Sequence, residues 1–166
     1  PITLERLPDG LKPGAPRFWQ KNTPRHYPAW IPRVELTTEA GKPVQIVLFN
    51  PDAMPHNLVV SQPGSLEAVG TAGGSMPMPA DPEAKAFVPD LPAVLFSTRL
   101  VKEGETERLG FTTPAEPGEY IFVCTFPGHW VRMYGVMLVV AKLDAWEANP
   151  TVPIDPMTKQ PFTAKQ

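Results

Sequence analysis

The chain has 166 residues, and its 15 basic and 17 acidic side chains are interspersed, leaving a net charge of −2. That balance gives no electrostatic case for binding nucleic acid or an acidic membrane surface, and no apolar run approaches the roughly 20 residues of a spanning helix. The 23 prolines, nearly three times ordinary usage, break helix interiors and favour one domain of short strands joined by rigid loops.

Residues 1–33 hold seven of those prolines, with Phe18, Tyr27 and Trp30 between them. No period of two or of 3.6 survives there, so the segment is expected to be an extended arm whose aromatics pack on the domain or link it to a preceding one. The chain opens on Pro1 without an initiator methionine, as a mature or trimmed polypeptide does, and a missing leader therefore does not report the compartment.

The texture changes at Val34. Residues 34–37, the turn Gly41-Lys42-Pro43 and residues 44–50 (V-Q-I-V-L-F-N) read as a hairpin leading into an inner strand. Further β segments are expected at 56–61, 94–100, 106–112, 119–124 and 136–141. Lys102-Glu103-Gly104 and residues 114–118 mark two of the turns between them. Such a set of short strands predicts an all-β fold, a Greek-key sandwich or barrel, over residues 34–142. Residues 63–91, rich in glycine and proline, are expected to form a flap outside it, with a short helix begun by Asp81-Pro82-Glu83. Residues 143–166 read as a tail, with a turn of helix at 143–148 starting at Asp144 and a linker-like end after Pro150.

The chemistry concentrates in V-C-T-F-P-G-H-W-V-R-M-Y-G, residues 123–135, which contains the only cysteine. Alone, Cys124 at the end of an apolar strand reads as a small core residue, His129 as a solvated side chain and Met133 as filler. Together they put a soft thiolate, an imidazole and a thioether on one loop between two strands. Those donors favour copper over magnesium, calcium or manganese. A trigonal His2Cys site with a long axial methionine is the blue-copper electron-transfer arrangement, and it needs one more histidine. Of the two others, His26 lies in the proline-rich arm, whereas His56 in P-H-N-L-V-V opens a β segment that a loop at the same end of the sandwich could deliver. His56 is the better placed.

C-T-F-P-G-H-x-x-x-M with a glycine following, together with the upstream P-H-N, resembles the azurin and auracyanin branch of the cupredoxins. Residues 86–111 resemble the azurin segment after its flap in order and spacing, so the likeness runs from about 34 to 142. It implies one copper ion, with His56, Cys124 and His129 in plane and Met133 as the weak axial ligand. It also implies a carbonyl of Pro55 near the opposite axial position and an Asn57 that ties the two ligand segments together. The amide following Cys124, at Thr125 or Phe126, is then expected to donate to the thiolate. An electron would leave by His129, through an apolar patch of Met54, Pro55 and Trp130 that greets a transient redox partner. The family is usually exported, so a periplasmic or extracytoplasmic location and anchoring outside this sequence fit the resemblance. Two departures stand out: one cysteine cannot make the N-terminal disulfide of azurins, and residues 1–33 have no counterpart there.

Inventory weighs against catalysis. A binuclear copper centre needs two cysteines, and a copper oxidase or nitrite reductase needs more histidines than the three present. A Cys-His hydrolase leaves the methionine unexplained. The expectation is therefore a non-enzymatic single-electron carrier. The alternatives are a copper carrier or storage module, with Met76 and Met78 as a further copper(I) site, and a relay domain of a larger redox protein.

Overall fold

The computed structural model describes residues 2–6, 35–81 and 84–162. Their strands are β1 (Ile2–Arg6), β2 (Glu35–Glu39), β3 (Pro43–Phe49), β4 (Val59–Ser61), β5 (Val94–Ser97), β6 (Thr106–Thr112), β7 (Gly118–Val123) and β8 (Tyr134–Val140). Two helices, α1 (Leu66–Gly74) and α2 (Leu143–Ala148), complete the elements. The strands form a three-stranded sheet ordered β1-β3-β6 and a five-stranded sheet ordered β2-β8-β7-β4-β5. This is the expected sandwich.

Between the sheets, alternate residues meet in one core, among them Val44, Ile46 and Leu48 of β3, Phe122 of β7, and Met137 and Val139 of β8. The outer faces of β7 and β8 are also covered, because Ile121, Val123, Tyr134 and Val136 pack with Leu66 and Val69 of α1. Burial on both faces explains why Y-I-F-V and V-M-L-V-V read as nearly continuous apolar runs rather than alternating ones. The five-stranded sheet thus sits between an inner core and an outer layer.

Three expectations need correcting. β2 and β3 are not a hairpin: β2 pairs in parallel with β8, and β3 pairs antiparallel with β1 and β6 in the other sheet. The turn signal at Gly41, whose φ is +67°, does reverse the chain, but both strands carry apolar residues for the same core, and the reversal crosses from one sheet to the other. The flap's helix is α1, well before Asp81, while residues 82 and 83 of the expected one lie outside those described. Three glycines hid α1, since glycine costs about 1 kcal/mol per helical position relative to alanine. Leu66 and Val69, one turn apart and buried, hold it to β7. Finally, the linker-like end folds back, burying Asp155 and Phe162.

Residues 2–6 of the expected arm form β1, the edge of the smaller sheet. The rest of the arm, including Phe18, His26, Tyr27 and Trp30, lies outside the described residues.

Candidate metal centre

The topology brings two segments to one end of the larger sheet. β4 runs antiparallel to β7 with Val59 opposite Val123, so the residues just before β4 lie beside those just after β7. Val123 also faces Tyr134, the first residue of β8, and the intervening loop of residues 124–133 caps that end. His56 is fastened by a bridge to Val101: its N–H donates to the Val101 carbonyl at 3.0 Å, and its carbonyl accepts the Val101 N–H at 2.7 Å.

Three side chains converge there. The Nδ1 atoms of His56 and His129 lie 3.7 and 3.5 Å from Cys124 Sγ, and the donor atoms of all three residues fall within 4.8 Å of one another. Cys124 is buried, His56 is 1 % exposed, and His129 is half-buried. The two imidazoles stand 4.9 Å apart at 36°. Burial pushes the Cys124 thiol up from 9.0 to about 11, against the pull of hydrogen bonds from the Asn57 and Phe126 backbone N–H groups. Burial also holds both histidines below their ordinary value, the nearby Asp52 opposing this only in part. Both rings are therefore neutral at neutral pH, with lone pairs available to a metal.

Met133 is held by its backbone. Its N–H donates to the His129 carbonyl at 2.9 Å, and its own carbonyl accepts from the Cys124 N–H at 2.9 Å, closing the loop on itself. Asn57 spans the two segments: Thr125 N–H donates to Asn57 Oδ1 at 2.8 Å, and Asn57 Nδ2 donates to Thr125 Oγ1 at 2.9 Å and to the Ala86 carbonyl at 3.1 Å. Thr125 Oγ1 in turn donates to the Phe87 carbonyl at 2.5 Å. These two buried side chains act as a rivet between the ligand-bearing segments. Of the amides expected at the sulfur, Phe126 donates, and the second donor is the backbone of Asn57 itself.

Around the rim, Met54 is 46 % exposed and Pro55 half-buried. Trp130 does not face outward freely: a Cβ on Gly70 would come within 2.5 Å of its ring, so that ring lies against α1 in the outer layer. The exposed apolar residue beside His129 is instead Val131, at 43 %, with Pro127 and Gly128 also open. Phe126 backs the His129 ring with centroids 4.8 Å apart.

Sequence reasoning missed Asp52. Its Oδ2 lies 3.5 Å from His56 Nε2, on the far side of the ring from the sulfur. Asp52 is itself placed by Asn50, whose Oδ1 accepts the Asp52 N–H at 2.9 Å and whose Nδ2 donates to the Met54 and Val101 carbonyls at 2.9 and 3.0 Å. The spacing N-P-D-x-x-x-H was readable only as a turn; a carboxylate four residues before a candidate ligand was the available signal.

The sequence profile of the copper binding proteins, plastocyanin/azurin family, matches residues 32–140. The chain belongs to that family. It is 33 % identical over 108 residues to Auracyanin-A of Chloroflexus aurantiacus, which covers 64 % of this chain and 65 % of that protein. It is 32 % identical over 88 residues to Azurin of Pseudomonas aeruginosa, covering 52 % of this chain and 57 % of that one. The fold is similar to dithionite-reduced auracyanin of Roseiflexus castenholzii, with a TM-score of 0.54 and 28 % identity over 64 % of this chain and 83 % of that one. The chain thus spans less than two thirds of the length of the curated relatives it matches.

Proposed function

We propose that this protein is a mononuclear blue-copper electron carrier whose copper would be held by His56, Cys124 and His129, with Met133 as a further, weaker ligand. The observation that carries the reading is the convergence of two neutral imidazole Nδ1 atoms on one buried thiol, at 3.7 and 3.5 Å. A thiolate with two imidazoles is the donor set copper favours, and a bound metal compensates the burial that otherwise keeps the thiol protonated. Bound copper supplies a one-electron couple whose two oxidation states both accept this set.

The chain's own residues do the rest. The N–H groups of Asn57 and Phe126 stabilise negative charge on the sulfur, which with burial tunes the potential. The Asn57–Thr125 rivet and the Cys124–Met133 backbone bond limit how far the ligands shift when charge changes. His129, half-buried on a loop with exposed Pro127 and Val131, is the route by which an electron leaves, and its apolar surround suits a small, transient contact with a redox protein. No catalytic copper is required, so the protein relays electrons rather than transforming a substrate. Among the described residues no helix is long and apolar enough to cross a membrane. The family likeness supports an extracytoplasmic location.

Adding copper(II) to the metal-free protein is expected to give an intense visible thiolate charge-transfer band and a narrow copper hyperfine splitting. A colourless adduct with an ordinary square-planar spectrum overturns the reading.

A further inference from the structure

Beyond the residues the family profile matches, 32–140, the chain closes a small hook over residues 153–162. Phe162 N–H donates to the Pro153 carbonyl at 2.8 Å, and Asp155 N–H to the Gln160 carbonyl at 2.9 Å, while Ile154 bridges Pro161. Phe162, 3 % exposed, plugs into the outer layer with Val59, Leu66, Val69 and Ile121. At its centre Asp155 is 1 % exposed. Its Oδ1 accepts the Tyr134 hydroxyl at 2.8 Å and the Met157 and Thr158 N–H groups at 2.8 and 3.1 Å.

We propose that this hook is a positioning element for the ligand loop, acting through the Tyr134–Asp155 hydrogen bond. The proposal rests on the copper reading for its purpose, though not for its geometry. Tyr134 directly follows Met133 and faces Val123, which directly precedes Cys124. The loop's two ends are joined by the Cys124 N–H to Met133 carbonyl bond. A force that fixes Tyr134 therefore fixes both Cys124 and Met133. The carboxyl group makes the hook cooperative, because its buried Oδ1 takes three donors at once and the loss of one loosens the others. A loop held in this way keeps its two ligand-bearing ends in register before any metal binds, so less ordering is left for the metal to impose.

The test is amide hydrogen exchange in the metal-free protein, followed by copper spectra. Tyr134→Phe keeps the ring in the outer layer and removes only the hydroxyl. Exchange of the Cys124 amide should then accelerate roughly fivefold, the worth of one net hydrogen bond, while mid-strand amides such as those of Phe122 and Leu138 stay unchanged. Asp155→Ala, which removes the accepting oxygen, should give the same local change, and the double variant little more than either alone. In the copper-loaded variants the intensities of the thiolate charge-transfer bands should shift relative to one another, reporting a displaced ligand. Uniform acceleration of all amides would mean a merely structural hook and overturn the proposal, as would an unchanged Cys124 amide with unchanged spectra. Variants that show the local exchange effect beside a wild-type protein that gives no blue band with copper would overturn the copper reading and leave the hook's geometry standing.

Discussion

The two histidine sides of the centre are built differently. His56 is sealed in and braced from behind: it is 1 % exposed, bridged to Val101, with Asp52 on its outer nitrogen at 3.5 Å. His129 is half-buried on a loop whose neighbours Pro127, Gly128 and Val131 are open to solvent, and its ring leans on Phe126. One side is an anchor and the other an opening, as an electron carrier needs: a site that hardly moves, with one edge a partner can approach. The sulfur between them belongs to the anchored side, since Cys124 is buried and receives an N–H from Asn57.

The most severe way to break this arrangement is to remove the atom both sides share. Cys124→Ser should abolish the visible charge-transfer band of the copper-loaded protein altogether, because no thiolate remains to donate; a persisting band would place the sulfur outside the coordination. A sharper contrast comes from Gly substitutions at the two histidines. Both should lose the band, but adding free imidazole should restore it in His129→Gly, where the vacated space opens to solvent. His56→Gly should stay colourless, or need far more imidazole. Equal rescue of the two would erase the distinction between anchor and opening.

A third effect tests how deeply the sulfur sits. Because burial raises the Cys124 thiol from 9.0 to about 11 in the folded chain, folding favours the protonated form. The stability this contributes is full below pH 9 and is lost as pH rises through about 11. The loss amounts to about 2–3 kcal/mol for the metal-free protein. Urea unfolding at about pH 8 and about pH 11, compared with Cys124→Ala, isolates the thiol from lysines and tyrosines that titrate in the same range. If the two proteins lose stability in parallel, the thiol is not buried as described.

How much of this was legible in the sequence follows the same division. The ligand-bearing residues could be read because their chemistry is rare and their spacing on one loop is local. The sandwich could be read from short apolar runs between turns. What could not be read depends on contacts distant in sequence. The chain's reversal at Gly41 is written locally, but its passage to the opposite sheet is fixed by the pairing of β2 with β8, about a hundred residues away in register. Gly70 and Gly73 look like loop residues until Trp130 and Thr125 are seen pressed against them, each too close for a Cβ. The tail looks like a linker because its prolines abolish periodicity, and only the partners of Asp155 and Phe162 reveal that it packs.

Asp52 is the smallest and most discriminating lever. The Nδ1 of His56 faces the sulfur at 3.7 Å, so the ring's proton belongs on Nε2, where Asp52 lies at 3.5 Å. A carboxylate there favours that tautomer and makes the imidazole a better donor. Asp52→Ala should lower the affinity of the metal-free protein for a divalent probe such as cobalt(II) by about tenfold, the lower end for losing such a partner. The counterpart substitution at the open side, Val131→Ala, trims a side chain that is 43 % exposed and should leave that affinity unchanged. Asp52→Asn separates the two contributions: its carbonyl oxygen still accepts the Nε2 proton, so affinity should largely recover, while the lost negative charge should raise the reduction potential relative to wild type. Nitrogen NMR of His56 in the metal-free chain gives an independent reading, with the Nε2–H form dominant in wild type and Asp52→Asn and eroded in Asp52→Ala. A His56 ring whose tautomer is indifferent to both substitutions would show that the bridge to Val101 and the surrounding burial anchor it unaided, and Asp52 would then be a bystander at the rim.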